Sequence, residues 1–136
     1  MKTRVYYADT DAGGVVYYAN YLRWLEMART DWLAQLGTPV TAYLEQGVLF
    51  AVVRAEIDYH KPAVLGDEVE VTVQPVRLRR VRFTLEQDVF RCTDRTKLVS
   101  AKITIACLTP DGRLTPVPEC LAAVLSNQSC GCKTRK

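Results

Sequence analysis

The stretch Asp9-Thr10-Asp11-Ala12-Gly13-Gly14-Val15-Val16-Tyr17-Tyr18-Ala19-Asn20-Tyr21 holds the residue types best suited to chemistry. Two carboxylates precede a glycine pair, and glycines let a ligand come close to the backbone. A helical pattern follows, so unpaired backbone N–H groups at its positive end face the same region. A carboxylate beside such donors can act as base or nucleophile at a carbonyl while the donors stabilise the developing oxyanion. The same residues also suit a structural task, since either Asp can close an Asx turn or cap the helix.

A second cluster is Arg77-Leu78-Arg79-Arg80-Val81-Arg82. Arginine forks bind phosphate oxygens bidentately. An arginine-rich strand edge also resists mispairing, which needs no ligand. No aromatic interleaving accompanies the cluster, so nucleic acid is not expected as a partner. His60 is the only histidine, and no Gly-x-Ser-x-Gly is present, so it is expected to be structural or at the mouth of a site. Cys92, Cys107, Cys120, Cys130 and Cys132 form an odd set without a disulfide framework, which predicts a reducing cytoplasm. Cys130 and Cys132 lack a second ligand pair, so no metal is expected.

The elements that must position these residues can be read from periodicity. Lys2 to Ala8 reads as a strand and Asp9 to Gly14 as a loop. A helix is predicted from about Tyr18 to Leu36, stopped by Gly37 and Pro39. Its apolar arc holds Tyr21, Leu22, Leu25, Ala28, Trp32, Leu33 and Leu36, and Arg29 falls inside that arc, where it must snorkel or meet a carboxylate. A short helix over Val40 to Gln46 comes next. Period-two runs then follow: Val53, Ala55, Ile57, Tyr59; Val69, Val71, Val73; Val81, Phe83, Leu85, Val89; and Val99, Ala101, Ile103, Ile105, Cys107. Consecutive strands with short turns are expected to pair antiparallel, with one face packed on the long helix. The fold class is α+β. Pro118 to Leu125 is expected to close the domain (1–125), leaving 126–136 as a polar, disordered tail.

The 136 residues and 15.3 kDa suit one domain, which should bury about two-thirds of its unfolded surface. With 49% hydrophobic and 24% charged residues the chain is globular, not disordered. No run approaches a membrane helix, no secretory signal is expected from the opening residues, and a net charge of +3 is too mild to imply nucleic acid.

Asp11 to Tyr21, with Arg23-Trp24-Leu25-Glu26 behind it, resembles the active-site signature of hotdog-fold acyl-CoA thioesterases. The nearest branches are the 4-hydroxybenzoyl-CoA thioesterases and the Tol–Pal-associated YbgC-type enzymes. The resemblance spans about residues 2 to 125. It implies a hotdog fold, an antiparallel sheet wrapped around one long helix. It implies hydrolysis of an acyl-CoA to free acid and CoA, with no cofactor. Asp11 matches the catalytic carboxylate, as nucleophile or as base, and the backbone N–H of Tyr18 matches the group that polarises the thioester carbonyl. Gly13, Gly14, Val16 and Tyr17 would surround the substrate, and Arg79 and Arg80 match basic residues that hold the phosphates of CoA. YbgC-type enzymes usually carry His where Tyr18 stands, whereas the 4-hydroxybenzoyl-CoA type carries Tyr. A homodimer or homotetramer with active sites at the subunit interface is implied. The rival reading is a non-catalytic acyl-CoA-binding or scaffold hotdog protein beside a membrane-associated machine.

Overall fold

A computed structural model describes residues 1–130. Its elements are β1 (Lys2–Arg4), α1 (Asn20–Gln35), α2 (Val40–Glu45), β2 (Leu49–Tyr59), β3 (Glu68–Val71), β4 (Gln74–Leu78), β5 (Arg82–Arg91), β6 (Lys97–Leu108) and α3 (Glu119–Cys130). One antiparallel sheet runs β1-β3-β5-β6-β2, with β4 also paired to β5. Among the described residues no helix is long and apolar enough to cross a membrane.

The α+β class holds, and the inward face of the sheet carries the predicted alternation. Val69, Val71, Phe83, Leu85, Val89, Val99, Ile103 and Ile105 are buried with Tyr21, Leu25, Ala28 and Leu33 of α1. Removing this apolar surface from water is the main favourable term in folding. The helix arc is shifted from the expected one: Trp24 joins the core, while Leu22 lies at the solvent edge.

Several boundaries differ for identifiable reasons. The first strand stops at Arg4, not Ala8, because Asp9 draws the chain into a turn. Its carboxylate accepts the Tyr6 N–H at 2.9 Å and caps the short 3-10 helix Tyr7–Asp9. The expected strand around Val69 to Val73 ends at Val71 and restarts as β4 at Gln74; between them the Thr72 hydroxyl accepts the Asp88 N–H at 3.1 Å. Neither β2 and β3 nor β1 and β2 are neighbours, although the first pair is consecutive with only a loop between. Instead β2 pairs with β6 and β3 pairs with β1 and β5. The connection from His60 to Asp67 therefore crosses one end of the sheet.

The predicted apolar face of β2 is mostly outside the core. Val53 and Ala55 are exposed and Tyr59 nearly half so, because β2 is an edge strand and a bulge between Val52 and Arg54 shifts its register. Arg29 is half-buried, with the Glu26 carboxylate nearby but beyond ion-pair distance, and its direct partner is a neutral amide. Its guanidinium donates to Oε1 of the fully buried Gln87 at 3.0 Å, and the Gln87 amide donates to the Leu25 carbonyl at 3.0 Å. Burial holds the Arg29 pKa below its ordinary value. At the C-terminal end α3 continues past Leu125 to Cys130, so the expected tail boundary falls within a helix. Cys132 and the rest of residues 131–136 lie outside the described residues.

Candidate active site

The loop from Thr10 to Val16 folds back on itself. Thr10 bridges Val16, the Asp11 N–H donates to the Val15 carbonyl at 2.9 Å, and the Gly14 N–H returns to the Asp11 carbonyl at 3.0 Å. Gly14 sits at φ +82°, a left-handed conformation that favours glycine. Gly13 donates its N–H to Asp11 Oδ1 at 2.8 Å, and a Cβ there would stand 3.3 Å from that oxygen. The glycine pair thus shapes and orients an exposed carboxylate. The Asx turn is real, and it leaves Oδ2 of Asp11 without a protein partner among the described residues.

Asp9 differs in every respect. It is 7% exposed, bonded to the Tyr6 N–H and 3.7 Å from Arg23 Nη1, while its carbonyl accepts the Tyr17 N–H at 2.9 Å. Of the two acids, Asp9 builds the loop and Asp11 faces outward.

The loop is anchored from below by the β2–β3 connection. The Val16 N–H donates to the Ala63 carbonyl at 2.9 Å, Val15 bridges Val64, and the Ala63 N–H donates to the Tyr21 hydroxyl at 3.2 Å. Helix α1 starts at Asn20, two residues later than expected, so Tyr18 lies in the turn ahead of it. The Tyr18 N–H has no acceptor among the described residues, and its carbonyl accepts the Tyr59 hydroxyl at 3.1 Å. Burial first, and then the neighbouring Tyr18, push the Tyr59 phenol above its ordinary pKa.

Val16, Tyr18, Tyr21, Tyr59, His60, Lys61 and Pro62 line an open cleft of about 230 Å³. Tyr18 and Tyr21 both stack edge-on to Tyr59, at 6.4 and 5.6 Å between ring centroids. Tyr17 is half-exposed against Tyr18. His60 bonds Ser100 and stands at the cleft mouth. Tyr59, Ala63 and Val64 escaped sequence reading because their roles depend on the crossing connection. Gln87 did leave a trace, as the polar break in the Phe83, Leu85, Val89 alternation.

The arginine cluster is elsewhere. Arg79 and Arg80 lie in the β4–β5 hairpin, exposed, with the hairpin packed against β6 through Cys107 N–H to the Val81 carbonyl at 2.9 Å. None of Arg77, Arg79, Arg80 and Arg82 has a carboxylate within ion-pair distance among the described residues. Register places Tyr59 opposite Val99 and Arg82 opposite Ala106 on β6. Seven residues of strand separate those rungs, about 23 Å. One chain therefore does not bring Arg79 and Arg80 to Asp11.

Residues 13–97 match the thioesterase superfamily. A 1,4-dihydroxy-2-naphthoyl-CoA hydrolase of Thermosynechococcus vestitus is 36% identical over 125 residues, covering 90% of this chain and 85% of that protein. The acyl-CoA thioesterase YbgC of Haemophilus influenzae is 40% identical over 118 residues, covering 86% and 85%. The structure of a 1,4-dihydroxy-2-naphthoyl-CoA thioesterase from Synechocystis superposes with a TM-score of 0.85 at 25% identity, covering 93% of this chain and 94% of that one. With the sequence match extending over more than half of its length and the architecture shared throughout, the chain belongs to the thioesterase superfamily and has the hotdog fold.

Proposed function

We propose that this chain, an acyl-CoA thioester hydrolase, cleaves its substrate to free acid and CoA through the Asp11 carboxylate and the Tyr18 backbone amide. One observation carries the reading: the folded-back loop presents an outward carboxylate, oriented by Gly13, and an unpaired amide just ahead of α1. The carboxylate either attacks the thioester carbonyl, forming an anhydride that water opens, or takes a proton from the attacking water. The Tyr18 N–H supports the negative charge that gathers on the carbonyl oxygen. The thiolate of CoA leaves and is protonated. Gly14, Val16 and Tyr17 shape the approach to this point.

The separation of Asp11 from Arg79 and Arg80 favours a site shared between two copies. Strand β2 is an edge, and Val52 and Val53 on it are 49% and 51% exposed. Pairing two β2 edges about a two-fold axis covers these residues. It also sets the Leu49 end of one copy beside the Tyr59 end of the other. The hairpin of one subunit then approaches the motif loop of its partner, where its arginines hold the phosphates of CoA. A cavity of about 120 Å³ between α1 and the sheet, lined by Trp32, Leu33, Phe50 and Val52 together with the polar Glu26, Arg29 and Thr30, opens at the same edge and is our candidate for the acyl group. Homodimers of this kind can pair further into a tetramer. The cytoplasm is the compartment we assign, and the free thiols of Cys92, Cys107 and Cys120 are compatible with its reducing conditions.

Hydrolysis assays over aryl-, short-, medium- and long-chain acyl-CoAs test the reading, with Asp11→Asn as the control. Release of CoA by the wild type and its loss in the variant are expected. Tight acyl-CoA binding without turnover by the wild type would favour the non-catalytic binding protein.

A further inference from the structure

We propose that Arg91, at the end of β5, is a positioning residue for Asp11, acting through the β2–β3 connection on which the motif loop rests. Its guanidinium reaches three acceptors: Asp67 Oδ2, Asp94 Oδ2 and the Pro62 carbonyl, each at 3.2 Å. Two of these belong to the connection. Asp67 Oδ2 also accepts the Val64 N–H at 3.0 Å, so one carboxylate oxygen ties the loop to itself and to β5. Pro62 and Asp67 bracket Ala63 and Val64, the residues that hold Val16 and Val15. Val15 in turn accepts the Asp11 N–H. The path from Arg91 to Asp11 is therefore an unbroken run of hydrogen bonds and short backbone steps.

The residue type fits the task. Three acceptors in different directions suit a planar fork, whereas a lysine supplies charge from one point. The Arg91 side chain is only 22% exposed and its partner Asp67 18%, so water does not readily replace the bond between them. The connection is also held by main-chain bonds between Val5 and both Asp67 and Gly66 and by the Tyr21 hydroxyl on the Ala63 N–H, while His60 and Lys61 donate their N–H groups to Leu98; among the described residues Arg91 is the side chain that ties Pro62 to Asp67. Among the described residues the one cleft residue that Arg91 hydrogen-bonds is Pro62, through its main chain, and its charge also acts on the Tyr21 phenol that holds Ala63, so its effect falls on the loop and not on substrate contact.

This role holds only if Asp11 is the catalytic carboxylate, and the test separates the two claims. Arg91→Lys is compared with wild type in both the native and the Asp11→Asn backgrounds, by kcat and KM for an acyl-CoA and by amide exchange. A displacement of the base by a fraction of an ångström should lower kcat about tenfold, with KM within about twofold. In the Asp11→Asn background the same change should cost nothing further. The Val16 amide should exchange faster, while amides in α1 and β6 keep their protection. An unchanged kcat in folded Arg91→Lys overturns the proposal, as does an equal loss in both backgrounds, because Arg91 would then act without Asp11. If Asp11→Asn is itself active, the assignment of Asp11 fails and the role of Arg91 falls with it. Arg91→Ala removes the guanidinium from Pro62 and leaves Asp67 with only the Val64 N–H, and it can fail to fold; the lysine variant decides the matter without it.

Discussion

The two ends of the sheet are built on opposite plans. At one end Asp11, Gly13, Val15, Val16, Ala63 and Val64 are joined by short hydrogen bonds that leave the loop little freedom. At the other, Arg77, Arg79, Arg80 and Arg82 crowd a hairpin, exposed and without a carboxylate in ion-pair distance among the described residues. In the function we propose, the difference suits what each end would handle. Attack on a carbonyl depends on placement to a fraction of an ångström. Holding a phosphate depends on charge and on forks that can swing to meet it. A rigid end and a compliant end, about 23 Å apart along β6, are brought together by a second copy of the chain in the arrangement we propose.

The strongest way to break this contrast is Asp11→Asn, which is nearly isosteric. We expect kcat to fall at least about a hundredfold while the fold and CoA binding survive. Near-normal turnover by the folded variant would remove the chemistry from the rigid end. Tyr18→Pro should lose a comparable amount by deleting the amide donor, once circular dichroism shows that it folds, whereas Tyr18→Phe should keep most activity. A collapse of kcat in the Phe variant would move the role to the phenol.

The sharing of one site between two ends is tested by mixing. Asp11→Asn subunits and subunits carrying both Arg79→Ala and Arg80→Ala should complement each other. A mixed dimer retains one intact site of two and should show about half the wild-type rate at low substrate. Mixtures no better than the parents would place both functions within one chain. Taken alone, the double arginine variant should raise KM about tenfold with kcat less affected, and the KM of the wild type should rise with salt. Asp9→Asn should change kcat least. It weakens a cap worth about 1 kcal/mol, so thermal denaturation should show Tm lower by about 4 °C while turnover persists.

Features that depend on neighbours along the chain were legible before any coordinates. The helix after the glycine pair, the second short helix, the alternation in β3, β5 and β6, and the unusual make-up of Asp11 to Tyr21 all follow from spacing and residue type. Backbone geometry repeats every two or 3.6 residues, so apolar spacing records it directly. By residue type alone Asp9 and Asp11 are equally eligible for catalysis or capping; the resemblance points to Asp11, and only packing shows that Asp9 is buried and Asp11 exposed. Pairing of β2 with β6 in place of β3 was likewise invisible, and with it the path that lays Ala63 beneath the motif. Arg29, half-buried near Glu26, also bonds a neutral amide 58 residues away that the pattern did not reveal. Alternation specifies which face of a strand is apolar but carries no record of which strand lies beside it. Strand order, partner choice and the distance between the two ends of the site therefore belong to the tertiary structure, where long-range contacts repay the entropy of closing the loops between them.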